Sequence, residues 1–117
     1  MNAPSVLLAL VEAGVVLWLD GDRLRFRAPE GVLDEARRAQ VASCRSPLVA
    51  LVRAGALLPE DPTAWPEEAR EEAAERAAIM EFDGRLPRED AERGAERCAR
   101  VGHLRRWLDR AALRSAP

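Results

Sequence analysis

The chain has 117 residues, a formal net charge of −2 and two cysteines, at positions 44 and 98. This length suits one domain with a small extension, and the charge excludes a strongly basic field that would drive non-specific binding to phosphate backbones. The apolar run 6–11 is too short for a signal peptide or a membrane span, so we expect reduced thiols and a cytoplasmic location.

The first predicted elements are a helix and a β-hairpin. The helix runs from about Pro4 to Ala13, because its apolar residues recur at helical spacing and Gly14 can end it in a left-handed cap. The hairpin covers 15–28, where two runs of alternating residues flank an Asp-Gly-Asp turn. The turn residues could be Asp20-Gly21 or Gly21-Asp22, since both registers keep the same apolar face. That face carries Val15, Leu17, Leu19, Leu24, Phe26 and Ala28.

Two further helices complete the first half of the chain. One is predicted from Val32 to Cys44, after a break at residues 28–31. The next runs from Pro47 to Ala54, with Ser46 as its N-cap. The order helix, strand, strand, helix, helix predicts an α+β fold in which helices cover the apolar face of the hairpin. We assign residues 1–56 to this αββαα domain.

The second half is predicted to be helical. Residues 57–66 contain three prolines and are interpreted as a Pro-rich linker or an extended strap. A helix over residues 67–82 would bury a stripe of Ala69, Ala73, Ala77 and Met80. Another helix, to about Arg100, is separated by Val101-Gly102 from a last amphipathic piece, His103 to Leu113. Residues 67–117 are therefore expected to form an extension of two to three helices.

The outward face of the hairpin is the candidate functional site. Its residues are Val16, Trp18, Arg23, Arg25 and Arg27. A partner peptide added to a free strand edge would gain main-chain hydrogen bonds, and the arginines would pair with acidic side chains or a C-terminal carboxylate. Trp18 favours this interpretation, because an exposed tryptophan is costly without a partner.

Three alternatives are open for the same face. The charges could protect an exposed edge from aggregation, or the C-terminal helices could cover Trp18 and make the face an internal interface. The tryptophan and the arginines could also stack on a base and bind phosphates. The neighbouring residues Asp20, Asp22 and Glu30 oppose nucleic acid as a partner without excluding it.

No pattern indicates catalysis or metal binding. Zinc sites use closely spaced ligand pairs, whereas Cys98 and His103 form one loose pair. The glutamates between positions 67 and 75 lie among arginines, as on a solvated helix face, and no nucleophile has an orienting partner. We therefore expect no enzyme, no cofactor and no metal. Cys98 is predicted to be a small buried residue, and His103 to start a helix or lie at the surface.

The first 55 residues resemble the N-terminal docking domains of the tubulysin-synthetase (TubC) type, which occur on subunits of hybrid peptide and polyketide synthases. The similarity lies in Leu7-Leu8, Leu10, Gly14-Val15, Leu17 to Leu24, Arg25, Arg27-Ala28-Pro29, Gly31 and Leu48 to Leu51. The resemblance implies a homodimeric αββαα unit whose exposed hairpin receives the C-terminal peptide of a partner subunit. It implies the same docking face here. Family members normally continue into a large catalytic domain, and their second helix starts with Thr-Pro-Glu instead of Leu33-Asp34-Glu35.

A second similarity concerns the segment from Glu75 to Ala91, which is similar to tails of uncharacterised proteins of phages and integrative elements. Two functions are therefore considered. The first is a non-catalytic docking or adaptor module that captures a partner peptide or surface along its hairpin and forms a homodimer. The alternative is an accessory or regulatory protein of a phage or mobile element that acts on a host complex or on nucleic acid.

Overall fold

The computed structural model describes residues 2–115, in which a β-hairpin follows the first helix and further helices, joined by loops, follow the hairpin. Helix α1 spans Ala3–Glu12, strands β1 and β2 span Val16–Asp20 and Arg23–Arg27, helices α2 and α3 span Glu35–Ser43 and Arg45–Arg53, a 3₁₀ turn spans Pro62–Ala64, and helices α4 and α5 span Glu67–Phe82 and Arg88–Ser115. The predicted α+β class is confirmed, as is the αββαα order of the first half.

The core lies between the apolar face of the hairpin and the helices. Helix α3 contacts both strands and α1, and α5 also packs on α1. The side chains of Leu7, Leu48 and Leu104, from α1, α3 and α5, are fully buried in one cluster. Because Leu104 belongs to this cluster, the extension and the N-terminal elements share a core.

Glycine ends helix α1 as predicted. The N–H of Val15 donates to the carbonyl of Leu10, and the N–H of Gly14 donates to the carbonyl of Val11, both at 3.0 Å. This pair of bonds is a Schellman motif, which needs a left-handed residue after the helix. Gly14 supplies it with a φ of 92°. The motif turns the chain directly into β1, so that the hairpin folds back over α1.

Two predicted helix starts are wrong by a few residues. Helix α2 begins at Glu35 and not at Val32, because the Asp34 side chain caps it by accepting a 2.8 Å hydrogen bond from the N–H of Arg37. Helix α3 begins at Arg45, so that Ser46 lies inside its first turn instead of capping it. The Asp34 side-chain cap sets the start of α2. Helix α3 starts earlier than predicted because only Cys44 separates it from the end of α2.

The predicted break at Val101-Gly102 is also wrong, because α5 continues through it. A glycine inside a helix costs about 1 kcal/mol relative to alanine. Here Leu104 is fully buried, and Val101 and Trp107 pack against the same core. Burial of these side chains on one continuous helix outweighs the glycine penalty. The extension therefore contains two long helices.

Residues 57–66, called the strap below, are held against α5 by one arginine. Arg100 is only 6% exposed, and its guanidinium donates to the carbonyls of Pro59 at 3.1 Å and Glu60 at 2.9 Å. It also pairs with Glu96 at 3.1 Å and lies 5.1 Å from the ring centroid of Trp65. The indole N–H of Trp65 donates to the same Pro59 carbonyl at 2.8 Å. The strap is thus ordered by buried polar contacts.

Helix α4 packs mainly on α5 and exposes much of its surface. The predicted stripe of Ala69, Ala73, Ala77 and Met80 is half-buried, and no α4 residue is fully buried. Gly94 of α5 permits the close approach, because a β-carbon there would lie 3.2 Å from the sulfur of Met80. Within residues 2–115, none of the helices combines the length and apolar composition that crossing a bilayer requires.

Candidate functional site

The hairpin turn is Gly21-Asp22, one of the two registers left open by the sequence. Asp20 pairs with Arg23 across the strands, which leaves two residues in the turn. Gly21 has a φ of 62°, whereas Asp22 does not have a positive φ. A positive φ at the first central residue alone is typical of a type II′ turn, which matches the natural twist of a hairpin.

The five predicted site residues lie on one face of this hairpin. Val16 is opposite Arg27, Trp18 is opposite Arg25, and Arg23 is opposite Asp20. Asp20 therefore belongs to the same face, although the sequence interpretation did not include it. The alternation of the strand could have identified it, because side chains two residues apart share a face. Its carboxylate lies 3.5 Å from the guanidinium of Arg25.

The strap and α5 cover the end of the face that is far from the turn. Val16 is only 8% exposed. It borders a cavity of about 220 Å³ together with Arg27 and with Arg97 and Arg100 of α5. The guanidinium of Arg27 is paired at 2.5 Å with the carboxylate of Glu60 in the strap. At this end, the outward face is an internal interface.

The turn end of the same face is open. Arg23 and Arg25 are exposed, and Trp18 is half-buried. The guanidinium carbon of Arg27 lies 6.0 Å from the ring centroid of Trp18, which holds one side of the indole. Within residues 2–115, Arg23 makes no ion pair, and Arg25 pairs only with exposed Asp20. An acidic ligand could therefore approach two weakly compensated arginines beside an aromatic ring.

Both strands have free backbone edges. Across residues 2–115, the backbone of neither strand forms a hydrogen bond to another element. In a two-residue turn, the N–H of Arg23 points to the carbonyl of Asp20. Because the direction alternates along an antiparallel strand, the N–H groups of Leu24 and Phe26 point away from β1. These outward N–H groups are free to donate hydrogen bonds to an added strand.

An apolar groove runs beside the β2 edge. It has a volume of about 250 Å³ and is lined by Leu24, Phe26, Leu33, Val41, Ala42 and two arginines, Arg38 and Arg45. Phe26 was predicted to lie on the core face and does so, but it remains 43% exposed. The reason is that α2 has no buried residue and covers the ring only in part.

The β1 edge is less accessible. Leu57 and Leu58 of the strap share a small cavity with Val16 and Leu17 of β1. Leu58 is buried, and Leu57 packs against the core. The strap therefore occupies the β1 side of the hairpin, whereas the β2 side is open.

The remaining candidates from the sequence are placed apart from this site. Cys98 is exposed, which contradicts its predicted burial, because it lines an open groove between α4 and α5. His103 lies inside α5 and not at a helix start, and its Nε2 donates to the carbonyl of Gly55 at 3.2 Å. In the described part of the chain, no group of three His, Cys, Asp or Glu residues is placed to hold a metal ion.

Comparison with known proteins finds one family. The model of the TubC N-terminal docking domain matches residues 5–53, which hold most of α1, the hairpin, α2 and α3. No curated protein and no solved structure matches the chain. The match does not extend to the strap, α4 or α5, and nothing supports the similarity of residues 75–91 to phage and mobile-element proteins. The predicted resemblance is therefore confirmed for residues 5–53, which match the family of TubC N-terminal docking domains.

Proposed function

We propose that this chain is a non-catalytic docking module that captures an extended peptide of a partner protein along β2. One observation carries the proposal: the edge of β2 is unpaired and lies between an arginine-bearing face and an apolar groove. The description of the matching family as a docking domain supports it. Strand addition to a free edge supplies main-chain hydrogen bonds, and the flanking surfaces supply selectivity.

The two sides of β2 specify the chemistry of the peptide. Side chains of an added strand alternate between the two faces of the hairpin. On the outward face they would meet Arg23 and Arg25, which suit carboxylates, and the ring of Trp18, which serves as an apolar anchor. On the other face they would enter the groove beside Phe26 and Val41, which suits small apolar side chains. The preferred ligand therefore alternates acidic and apolar residues.

The five residues of the outward face take different roles in this proposal. Trp18, Arg23 and Arg25 contact the peptide, because they lie at the open end. Arg27 steadies the indole of Trp18 while it pairs with Glu60 of the strap. Val16 forms the apolar base on which α5 rests. Residues 1–56 act as the docking unit, and residues 57–66 and 67–117 limit how much of its face is available.

The proposal extends to the partner class and the setting. The module works as a homodimer in the cytoplasm, where its thiols stay reduced. Nucleic acid is a poorer ligand, because Asp20 and Asp22 flank the exposed arginines at the turn. Within residues 2–115, no contact or charge pattern favours the alternative of a mobile-element regulator.

Fluorescence anisotropy with a labelled peptide tests the proposal. The probe is a synthetic peptide in which Glu and Val alternate, compared with a Lys-Val peptide and with single-stranded oligothymidine. We expect the wild-type chain to bind the Glu-Val peptide and neither of the other two probes. The Trp18→Ala, Arg25→Glu double variant should bind the Glu-Val peptide with at least about tenfold lower affinity. Arg70→Glu on α4 makes the same charge change away from the hairpin and should bind normally.

Two outcomes would contradict the proposal. One is an unchanged affinity of the double variant for the Glu-Val peptide. The other is a preference for the Lys-Val peptide or for oligothymidine, either of which would show that the arginines do not select an acidic strand. Binding of oligothymidine that weakens steeply with salt would favour a nucleic-acid function instead.

A further inference from the structure

The cavity of about 220 Å³ at the covered end of the outward face lies between the docking unit and α5. We call it the junction cavity. Its charged lining consists of four arginines and one glutamate, namely Arg27 from β2 and Arg93, Glu96, Arg97 and Arg100 from α5. The family match ends before α5, and the proposed peptide site lies at the other end of the face. The junction cavity is therefore a separate feature of this chain.

Helical spacing brings the three α5 arginines to one wall of the cavity. Arg93, Arg97 and Arg100 follow one another by four and three residues, which places them on one face of the helix. The opposite wall comes close at Gly14, directly after α1. A β-carbon at Gly14 would lie 3.6 Å from both Nε and Nη2 of Arg97. The guanidinium of Arg97 therefore lies against the end of α1, at the edge of the cavity.

The cavity carries more positive than negative charge. Three of its arginines have a carboxylate partner: Arg27 pairs with Glu60, Arg93 with Asp90, and Arg100 with Glu96. Within residues 2–115, Arg97 has no ion pair, and only the carbonyl end of α1 beside it carries a partial negative charge, about half an elementary charge. A guanidinium has five N–H donors, so the paired arginines also keep donors free. An anion in the cavity would meet both uncompensated charge and free donors.

Arg100 gives independent support for a ligand in this cavity. Its side chain is only 7% exposed, and among residues 2–115 its Nε has no hydrogen-bond partner. An unpaired buried donor is costly, which favours a site where an acceptor can be supplied. The other space that Arg100 borders is about 10 Å³ and is otherwise lined by valines and leucines, so it is too small and too apolar for a water molecule. Of the two spaces, only the junction cavity can hold a polar acceptor.

We propose that the junction cavity binds a phosphate group, with Arg97 as its main partner, Arg27 and Arg93 at the rim and Arg100 at the buried side. A phosphate group presents several charged oxygens and can accept hydrogen bonds from several guanidinium groups at once, whereas a carboxylate has two oxygens. One water molecule takes up about 30 Å³ in the liquid, so the cavity has room for a phosphate group and several waters. The site goes beyond the docking function and does not depend on it.

Isothermal titration calorimetry with inorganic phosphate tests the proposal on the full chain, in a buffer free of phosphate and sulfate. We expect one saturable site with a Kd below about 1 mM. Arg97→Gln should weaken binding at least about tenfold, because it removes the arginine that no carboxylate neutralises. Arg110→Gln is the matched control, since it removes another exposed arginine of α5, thirteen residues further along, and should bind normally. No saturable binding up to about 20 mM, or equal losses in the two variants, would overturn the proposal.

NMR locates the bound anion without relying on a variant. On addition of phosphate, the largest shifts should be those of the backbone amides of Gly14, Val16 and Arg97, which line the cavity. The exposed arginines at the turn, Arg23 and Arg25, are the competing place for an anion. Largest shifts at their amides would contradict the junction site.

Two further probes establish the selectivity and the source of the phosphate group. Acetate at the same ionic strength should not displace phosphate, and displacement with equal affinity would contradict the choice of a phosphate group. O-phosphoserine presents the same group on a larger molecule. Tighter binding of O-phosphoserine than of inorganic phosphate would identify a phosphoryl group carried by a larger ligand, and the reverse order would identify the free anion.

The phosphate site and the docking site can fail separately. Arg97→Gln should bind the Glu-Val peptide with wild-type affinity, because Arg97 lies outside the open end of the face. A chain that binds the peptide but not phosphate would contradict the junction site alone. A chain that binds phosphate but not the peptide would contradict the docking function alone.

Discussion

Replacing Arg100 with methionine should release the strap from α5. The guanidinium supplies the donors for the carbonyls of Pro59 and Glu60 and the partner for Glu96. Methionine retains much of the side-chain volume but none of these donors. The Glu60 carbonyl would then lose its hydrogen bond, and the ring of Trp65 would lose a cation 5.1 Å from its centroid.

The expected loss is about 3 kcal/mol in the free energy of unfolding. Hydrogen bonds to charged groups contribute about 1.5–3 kcal/mol each, and the ion pair adds little, because the Glu96 side chain is 31% exposed and stays hydrated when Arg100 is removed. These contributions overlap, because one side chain makes all of them. The Nε of Arg100 is buried, and within residues 2–115 it has no hydrogen-bond partner. This unpaired N–H already destabilises the wild-type protein, which places the expected loss at the lower end of the range.

Urea denaturation followed by circular dichroism and tryptophan fluorescence measures this loss. Arg105→Met is the matched control, because it removes an arginine of the same helix whose 3.4 Å pair with Glu12 is exposed on both sides. An exposed pair contributes less than about 1 kcal/mol, so the control should change little. Equal losses for the two variants would refute the conclusion that Arg100 fastens the strap.

Three further predictions concern the site and the core. Glu60→Gln frees Arg27 and should tighten binding of the Glu-Val peptide by up to about fivefold, which is the contribution of one exposed ion pair. The control Glu68→Gln on α4 should leave the affinity unchanged, and weaker binding by Glu60→Gln would contradict the prediction. Leu48→Ala should lower the free energy of unfolding by about 3 kcal/mol in urea, because the side chain is fully buried, and a loss below about 1 kcal/mol would mean that it is not a core residue. Gly21→Ala should cost about 1–2 kcal/mol in the same assay because of its φ of 62°, and an unchanged urea midpoint would argue against the type II′ turn.

The hairpin and its faces could be predicted from sequence because they depend on local patterns. Alternation placed Leu17 and Leu24 on the core face and Trp18 and Arg25 on the other, and the structure has this arrangement. The choice between the two turns could not be made, because both preserve the alternation. The two turns differ in which residues pair across the strands, and the observed pairing of Asp20 with Arg23 cannot be read from the alternation of side chains.

Features that depend on distant contacts could not be decided from the sequence. The cover over Val16 and Arg27 comes from the strap and α5, which lie far along the chain. The continuity of α5 through Gly102 depends on burial of Leu104 against α1, which local propensity cannot register. The covering of the hairpin by the extension was an open alternative from the sequence, and it holds at one end of the face only.

Amide hydrogen exchange by NMR, with and without the Glu-Val peptide, tests the central claim most directly. An added strand on β2 would engage the outward N–H groups of Leu24 and Phe26, so their exchange should slow when peptide is bound. The amides of Leu17 and Leu19, on the β1 edge, should exchange as before. Slowed exchange at Leu17 and Leu19 instead, or no change on either edge while the peptide is bound, would contradict docking along β2.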